Sequence, residues 1–416
     1  MIDKIIQKAK THKSIIENFS YLSALQVFNM ILPLITYPYL ISVLGKETYG
    51  LVIFAQAIIG YLLILVNFGF NISATREISI HRDNQVKLNE IISSILIIKG
   101  ILFFCSLIIL SVLMYILPQA HGVKILFYLS MYLCLYEWIF PVWYFQGIEK
   151  MKYITFITLI SRLIFLALIF LLIQSSEDYL FLPIINGIGA IIAGILSLYI
   201  VFFKHKIQFH FQSVRILFKY FKGSTPIFIS NVSIGLYVST NKVLIGTFLG
   251  MGEVAYYDLA EKVVSILKIP QVILGQVLFP KISKDQNIVF VKKIFKTSII
   301  VNSLLFICTI FFSKPIVLFL GGDEMLPVIP VLVILGITVP IIGVSNIFGV
   351  QLLIPFGFYK DFTRVILLSG VFYCLQVLLL WLSFGFTLYS ISIVTVVTEI
   401  FVTAYMFYLC KKNRLW

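Results

Sequence analysis

Charge is what this chain has least of. Only 12% of its 416 residues are Asp, Glu, Lys or Arg, and just 18 are acidic. A soluble domain of this length carries about twice that fraction, so a water-facing globular fold is excluded. Catalytic signatures are also missing. The chain has no G-x-x-x-x-G-K-[ST] loop for a nucleotide phosphate, no H-E-x-x-H and no C-x-x-C pair. It also lacks a long polar loop in which chemistry could be housed, so an enzyme is the weaker class. Five cysteines, Cys105, Cys134, Cys308, Cys374 and Cys410, fall in or beside apolar segments without metal-ligand spacing. They read as packing residues, and no metal or other cofactor is expected.

What is present is apolar. Hydrophobic residues make up 60% of the chain, with 38 Phe and 22 Tyr. A helix needs about 20 apolar residues to cross the hydrocarbon core, and the pattern supplies twelve such segments. The expected fold is an all-α integral membrane protein. The expected organisation is a cytoplasmic amphipathic N-terminus (1–17), six spans in 18–203, a basic loop at 204–224, six spans in 225–409 and a short tail at 410–416.

The net charge of +14 reflects topology and not nucleic-acid binding. Basic residues crowd one set of segments: Lys4, Lys8, Lys10 and Lys13, the turns around Arg76, Lys150, Lys219, Lys292 and Lys360, and Lys411, Lys412 and Arg414 at the end. The opposite loops hold only Lys46, Lys124 and Lys314. By the positive-inside rule both termini are cytoplasmic. The first 14 residues, Lys-rich with Ile2, Ile5, Ile6 and Ala9 at helical spacing, read as a helix on the inner membrane surface and not as a cleaved leader.

The two halves look like copies. Leu44-Gly45, Gly50, Ala55 and Gln56 match Leu249-Gly250, Ala255, Ala260 and Glu261 at a constant offset, and Gly147 with Lys150 matches Gly357 with Lys360. Copies six spans apart run in the same direction and form two parallel bundles, with a substrate site between them. A small-xxx-small pair, Gly246 and Gly250, suggests close helix packing. Pro33, Pro38, Pro141, Pro270 and Pro340 suggest kinks within spans.

The scarce charges inside apolar segments are the best pointer to function. Lys99, Arg162, Lys242, Lys262 and Lys268, with Glu137, Asp258, Glu261 and Glu399, each cost roughly 2.5–3.5 kcal/mol at a bilayer centre. Asp258, Glu261, Lys262, Ser265 and Lys268 lie on one helical face. Gln26 and Asn29, Gln56, and Asn231 with Asn241 add polar stripes to spans 1, 2 and 7. The candidate substrate-binding set is therefore Lys242, Arg162, Lys268, Lys262, Lys99, Asn29, Gln26, Gln56, Asn241 and Asn231. The candidate ion-coupling acids are Glu261, Asp258, Glu399 and Glu137. Simpler readings exist for two of these. Asp258 and Lys262, four apart with the acid first, can form a local helix ion pair. Lys99, about three turns from the inner face, can snorkel.

Several segments carry a family resemblance. They are Leu32-Pro33-Leu34-Ile35-Thr36-Tyr37-Pro38-Tyr39-Leu40 with Leu44-Gly45 and Tyr49-Gly50, then Phe68-Gly69-Phe70-Asn71 with Ala74-Thr75-Arg76-Glu77. Phe140 to Met151, with Pro141-Val142-Trp143-Tyr144-Phe145-Gln146-Gly147, and Tyr257 to Lys262 complete the set. In this order they resemble flippases of O-antigen and polysaccharide repeat units of the Wzx type. The resemblance implies the MATE-like fold of the multidrug and polysaccharide exporter superfamily, two six-helix lobes around a V-shaped central cavity. It also implies the substrate: an undecaprenyl pyrophosphate-linked oligosaccharide moved to the outer leaflet of the bacterial cytoplasmic (inner) membrane, upstream of a polysaccharide polymerase and a chain-length regulator. Asn67 departs from the family pattern, which implies Asp before the Phe-Gly-Phe. Any coupling to H⁺ or Na⁺ would then fall on another acid.

The rivals are a cation or drug antiporter of the same fold, which predicts an acidic cavity, and a membrane glycan polymerase or glycosyltransferase, which predicts a sizeable outer loop. The cationic excess among the intramembrane charges favours a lipid-linked, anionic substrate, and the short outer loops disfavour the enzyme.

Overall fold

In lipid every backbone polar group must be satisfied within the chain, so an apolar sequence of this kind has helices as its natural solution. The computed structural model describes the backbone of residues 2–383 and 385–416. It describes their side chains apart from residues 2–16, 18, 19, 22, 120, 237, 238, 276, 277, 280 and 281. The expected amphipathic face of residues 1–14 lies outside the described side chains.

The described residues are helical throughout, without strands. The helices are α1 (Ile2–Asn67), α2 (Phe70–His81), α3 (Gln85–Ile116), α4 (Lys124–Ser130), α5 (Tyr132–Ile139), α6 (Val142–Gly147), α7 (Met151–Leu172) and α8 (Phe181–Tyr199). There follow α9 (Val214–Phe248), α10 (Met251–Asp285), α11 (Ile288–Gly321), α12 (Val328–Gly336), α13 (Thr338–Asn346), α14 (Tyr359–Ser383) and α15 (Leu388–Lys412). Among the described residues, nine stretches are long and apolar enough to cross a membrane. The chain is a multi-pass membrane protein. The first stretch, Ser23–His81, is 59 residues long and bends at Gly45, whereas α9 and α10 fall outside the nine.

Polar residues in the turns start the next helix. Asn84 accepts from the Lys87 amide, Asn287 from the Phe290 amide, and Thr387 exchanges a capping box with Ser390. The proline effect is strongest at Pro141, where Phe140 is extended and α5 gives way to α6. Pro33 and Pro38 are instead absorbed within α1.

By contacts the chain divides into two units: residues 1–36 with 58–231, and residues 37–57 with 232–416. These units are not simply the two sequence halves, because the tip of α1 groups with the second and the start of α9 with the first. The first unit is built around Phe68, Phe70, Ile91, Ile92, Trp143 and Phe145. Phe68 stacks on Phe221 and Phe228 at 4.2 and 4.3 Å. The second unit packs around Phe348, Leu352, Leu353, Val365 and Met406, with the chain end sealed by Trp416 against Phe295 and Phe348.

The repeat expected from sequence is visible in the backbone at one join. Gly45 (φ 72°, ψ 164°) and Gly250 (φ 122°, ψ 168°) adopt related conformations that L-residues rarely reach. Gly250 is thus a turn residue, and the close packing expected of the Gly246/Gly250 pair comes from Gly246 alone. A Cβ on Gly246 would lie 2.2 Å from the Phe54 ring. The second proposed match does not extend to conformation: Gly147 is helical, pressed against Ile78, whereas Gly357 has φ +91°. Sequence similarity of two residues in apolar context was too short to require the same turn.

Candidate functional site

The second unit assembles four of the nine candidate charges, Lys242, Asp258, Glu261 and Lys262, into one cluster near the N-terminal end of α10. Glu47, just after the Gly45 bend, accepts from the Gly252 amide at 2.9 Å and so caps the N-terminus of that helix. Gly50 lies so close to α10 that a Cβ there would meet the Met251 carbonyl oxygen at 1.8 Å. This apposition brings Tyr37 and Tyr49 of α1 over Asp258.

Asp258 is buried at 2% exposure. Its Oδ1 accepts from Lys242 Nζ at 2.8 Å, and its Oδ2 lies 2.7 Å from Lys262 Nζ and accepts from the Tyr49 hydroxyl at 3.1 Å. Lys242 also reaches Glu261 Oε2 at 2.6 Å. Lys262 donates to the Tyr49 oxygen at 2.5 Å and sits 4.7 Å from the centre of the Tyr37 ring, a cation–π contact. Tyr37 meets Tyr49 edge to face at 5.1 Å and donates to the Ala255 carbonyl at 3.3 Å. The cluster is charge-balanced: Lys242 and Lys262 against Asp258 and Glu261. The sequence alone presents Lys242 as a cation open to an anion; in the structure two carboxylates hold it, one of them from one α-turn further along the same face. Asp258 and Lys262 do form the local i,i+4 pair, but Asp258 bridges to α9 as well.

A neutral hydrogen-bond layer adjoins this cluster. Asn241 donates to the Tyr257 hydroxyl at 2.7 Å and to Thr395 Oγ1 at 2.8 Å, and accepts from the Tyr373 hydroxyl at 2.6 Å. Both amide protons and one lone pair of the oxygen are used, so Asn241 orients its neighbours. Further along α10, Gln271 accepts from Ser298 and Asn302 at 2.8 and 3.2 Å. Lys268 makes no ion pair or hydrogen bond among the described residues; Glu399 and Glu261 are the acids whose field it feels.

The first unit holds a separate charge pair. Lys99 is fully buried, and its Nζ lies 2.6 Å from Glu137 Oε1 and 3.1 Å from the Glu137 carbonyl. It does not snorkel; its partner is a carboxylate on α5, which removes any need to reach water. Asn67 donates to the same Glu137 oxygen at 2.9 Å while accepting from the Gly69 amide at 3.0 Å. An Asp at 67 would set a second carboxylate against Glu137, so the departure at this position matches its surroundings. Arg162 is half-buried near Tyr132 and Tyr136, with no ion pair among the described residues. Gln26, Asn29 and Asn231 also belong to the first unit, and Asn29 is exposed. Gln56 lies half-buried in the second. The candidate set is therefore distributed over both units.

Sequence reasoning missed Tyr37, Tyr49, Tyr257, Tyr373 and Thr395. Tyr37 and Tyr49 were visible only as part of a motif. Their proximity to the charged face of α10 was implied by the matching Gly45 and Gly250 joins, a signal that could have found them.

Solved structures share this fold. An inward-facing multidrug resistance MATE family transporter of the MOP superfamily superposes with a TM-score of 0.71 at 12% identity, covering 93% of this chain and 98% of that one. The lipid II flippase MurJ, in an inward closed conformation, gives 0.73 at 15% identity, covering 94% and 87%. Sequence comparison is more specific: residues 15–286 match the polysaccharide biosynthesis protein family model, and the chain belongs to that family. Among curated proteins, a "Putative O-antigen transporter" of Escherichia coli (strain K12) is 27% identical over 97% of this chain and 98% of its own length. A Shigella dysenteriae protein of the same description is 29% identical over 91% and 95%. The protein is a transporter and not an enzyme.

Proposed function

We propose that the protein flips a lipid-linked oligosaccharide, the precursor of O-antigen or a related polysaccharide, across the bacterial cytoplasmic membrane, with both termini cytoplasmic. Undecaprenyl pyrophosphate is the carrier this reading favours. A sugar hydroxyl stripped of partners in hydrocarbon costs several kcal/mol, so the glycan needs a polar route while the tail stays in lipid. The pyrophosphate needs cationic donors.

The observation that carries the reading is the Lys242–Asp258–Lys262 arrangement with Glu261, centred on the buried Asp258, in a chain of the polysaccharide biosynthesis family. Two ammonium groups held by two carboxylates form a reserve of positive charge. An entering pyrophosphate competes with Asp258 and Glu261 for the lysines. Proton or Na⁺ binding by one acid weakens the hold on Lys242, and the anion then displaces the other, so the same two acids are the coupling groups in this mechanism. Arg162 and Lys268, which make no ion pair among the described residues, are available to the anion directly. Alternating access of the two six-span lobes then carries the headgroup outward. A membrane potential negative inside favours this by roughly 2.3 kcal/mol per charge per 100 mV.

The test is complementation in a strain lacking its own flippase. Lys242→Ala and Arg162→Ala, each at normal protein level, should abolish or strongly reduce surface polysaccharide. Undiminished polysaccharide with both variants would reject the assignment. Unchanged drug sensitivity on overexpression separates the flippase from an antiporter of the same fold.

A further inference from the structure

A second polar site lies wholly in the first unit, away from the cluster on α10. Residues of α2, α3 and the start of α9 enclose a cavity of about 360 Å³ with Ser73, Arg76, Glu77, Lys219 and Ser224 on its walls. The expected basic loop 204–224 is helical from Val214 onward as the start of α9, and the segment before it is tied to α3 by Gln85, which donates to the Lys206 carbonyl at 3.0 Å.

The cations of this cavity are not consumed by the fold. Arg76 and Lys219 make no ion pair among the described residues; Lys219 approaches the Tyr220 ring at 5.7 Å and acts on Glu90 only through its field. Glu90, which could neutralise Lys219, is already bound by Lys87 and by the Tyr220 hydroxyl at 2.9 Å. Glu77 faces its own helix neighbour His81 at 4.0 Å. At the back of the cavity the Ser73 and Ser224 hydroxyls meet at 2.6 Å, with their protons shared between each other and the Gly69 and Tyr220 carbonyls at 3.3 and 3.1 Å, and Ser224 is buried at 1% exposure. A Cβ on Gly223 would touch nothing within 4 Å, so the chain leaves room beside them. Ile72, 62% exposed, lies on the rim and extends the site as apolar surface.

Arg76 and Lys219 against Glu77 leave a net charge of +1, which balances the single negative charge of a phosphodiester better than the higher charge of a diphosphate. Arginine's fork and lysine's point charge are the usual phosphate ligands, and an apolar rim suits an acyl chain. We propose that this cavity binds the phosphodiester headgroup of a membrane phospholipid at the basic face of the protein. The site holds a lipid against α2 and α9 independently of the transported substrate.

The experiment uses the full-length protein purified in detergent and reads thermal stability during titration with short-chain phosphatidylglycerol. Inorganic phosphate and a prenyl diphosphate are titrated in parallel. The expected result is stabilisation by the phospholipid at a concentration at least tenfold below that needed with inorganic phosphate or the prenyl diphosphate. The effect should fall at least tenfold in R76Q/K219Q and in Gly223→Leu, which adds bulk at a wall position where a Cβ meets nothing within 4 Å, and persist in the nearby control Lys222→Gln. Equal response of wild type and both cavity variants overturns the proposal. So does preferential stabilisation by the prenyl diphosphate, which would assign the cavity to the transported lipid. Neither result bears on the transport assay above.

Discussion

Lys99 and Glu137 lie 38 residues apart in sequence and 2.6 Å apart in space, the lysine without any solvent exposure. Breaking a buried pair by removing one partner leaves an uncompensated charge, whose cost is about 3–5 kcal/mol. Glu137→Ala and Lys99→Ala should each lower the melting temperature strongly. The double replacement Lys99→Met with Glu137→Leu should recover much of the loss. Equal destabilisation by single and double variants would show that packing and not charge governs the site.

Tyr49 and Lys262 act on one carboxylate oxygen, so their effects should not add. Tyr49→Phe and Lys262→Met, singly and together, should show a coupling of about 0.5–3 kcal/mol in a double-mutant cycle read by thermal or denaturant unfolding. The same variants combined with Gln208→Ala, a residue of the first unit, should add without coupling.

Gly50→Ala should be poorly tolerated, because its Cβ would lie 1.8 Å from a backbone oxygen that cannot swing aside. Overpacking of this kind costs at least about 1–3 kcal/mol. Gly357→Ala meets nothing within 4 Å but keeps φ at +91°, so its loss should be confined to backbone strain of about 1–2 kcal/mol. Melting temperatures of the two proteins, compared with wild type, check the order.

His205, just after α8, hydrogen-bonds the Tyr144 hydroxyl through Nδ1 at 2.8 Å. Burial and then the nearby Lys150 and Lys204 push its pKa down from 6.5 to about 4. Between those values the unfolded chain binds a proton that the folded chain does not. The contribution to stability is therefore complete above about pH 6.5 and declines as pH falls toward 4. His205→Gln should flatten the dependence of melting temperature on pH in that window. An unchanged slope would show that His205 is already protonated when folded.

The class of the protein was legible because lipid imposes length and apolarity on every span, and because the Phe140 to Met151 segment and its companions resemble a known family. The polar face of α10 was legible too, since helical spacing alone puts Asp258, Glu261 and Lys262 together. The partners across helices were not. Whether Lys99 meets water or Glu137 depends on the relative height of α3 and α5, which no local pattern encodes. Lys242 likewise looked free because its two carboxylates lie on the next helix. Asn67 was noticed as a departure, but only its contact with Glu137 explains why an amide suits that position.

The Lys99–Glu137 pair also imposes an order on biosynthesis. Lys99 leaves the ribosome first, and α3 must enter the membrane with a bare ammonium near its middle until the helix bearing Glu137 follows. Nascent chains arrested before residue 137 should therefore hold α3 less firmly than chains extended past it. The ion pair then serves as a checkpoint at which one span waits for another.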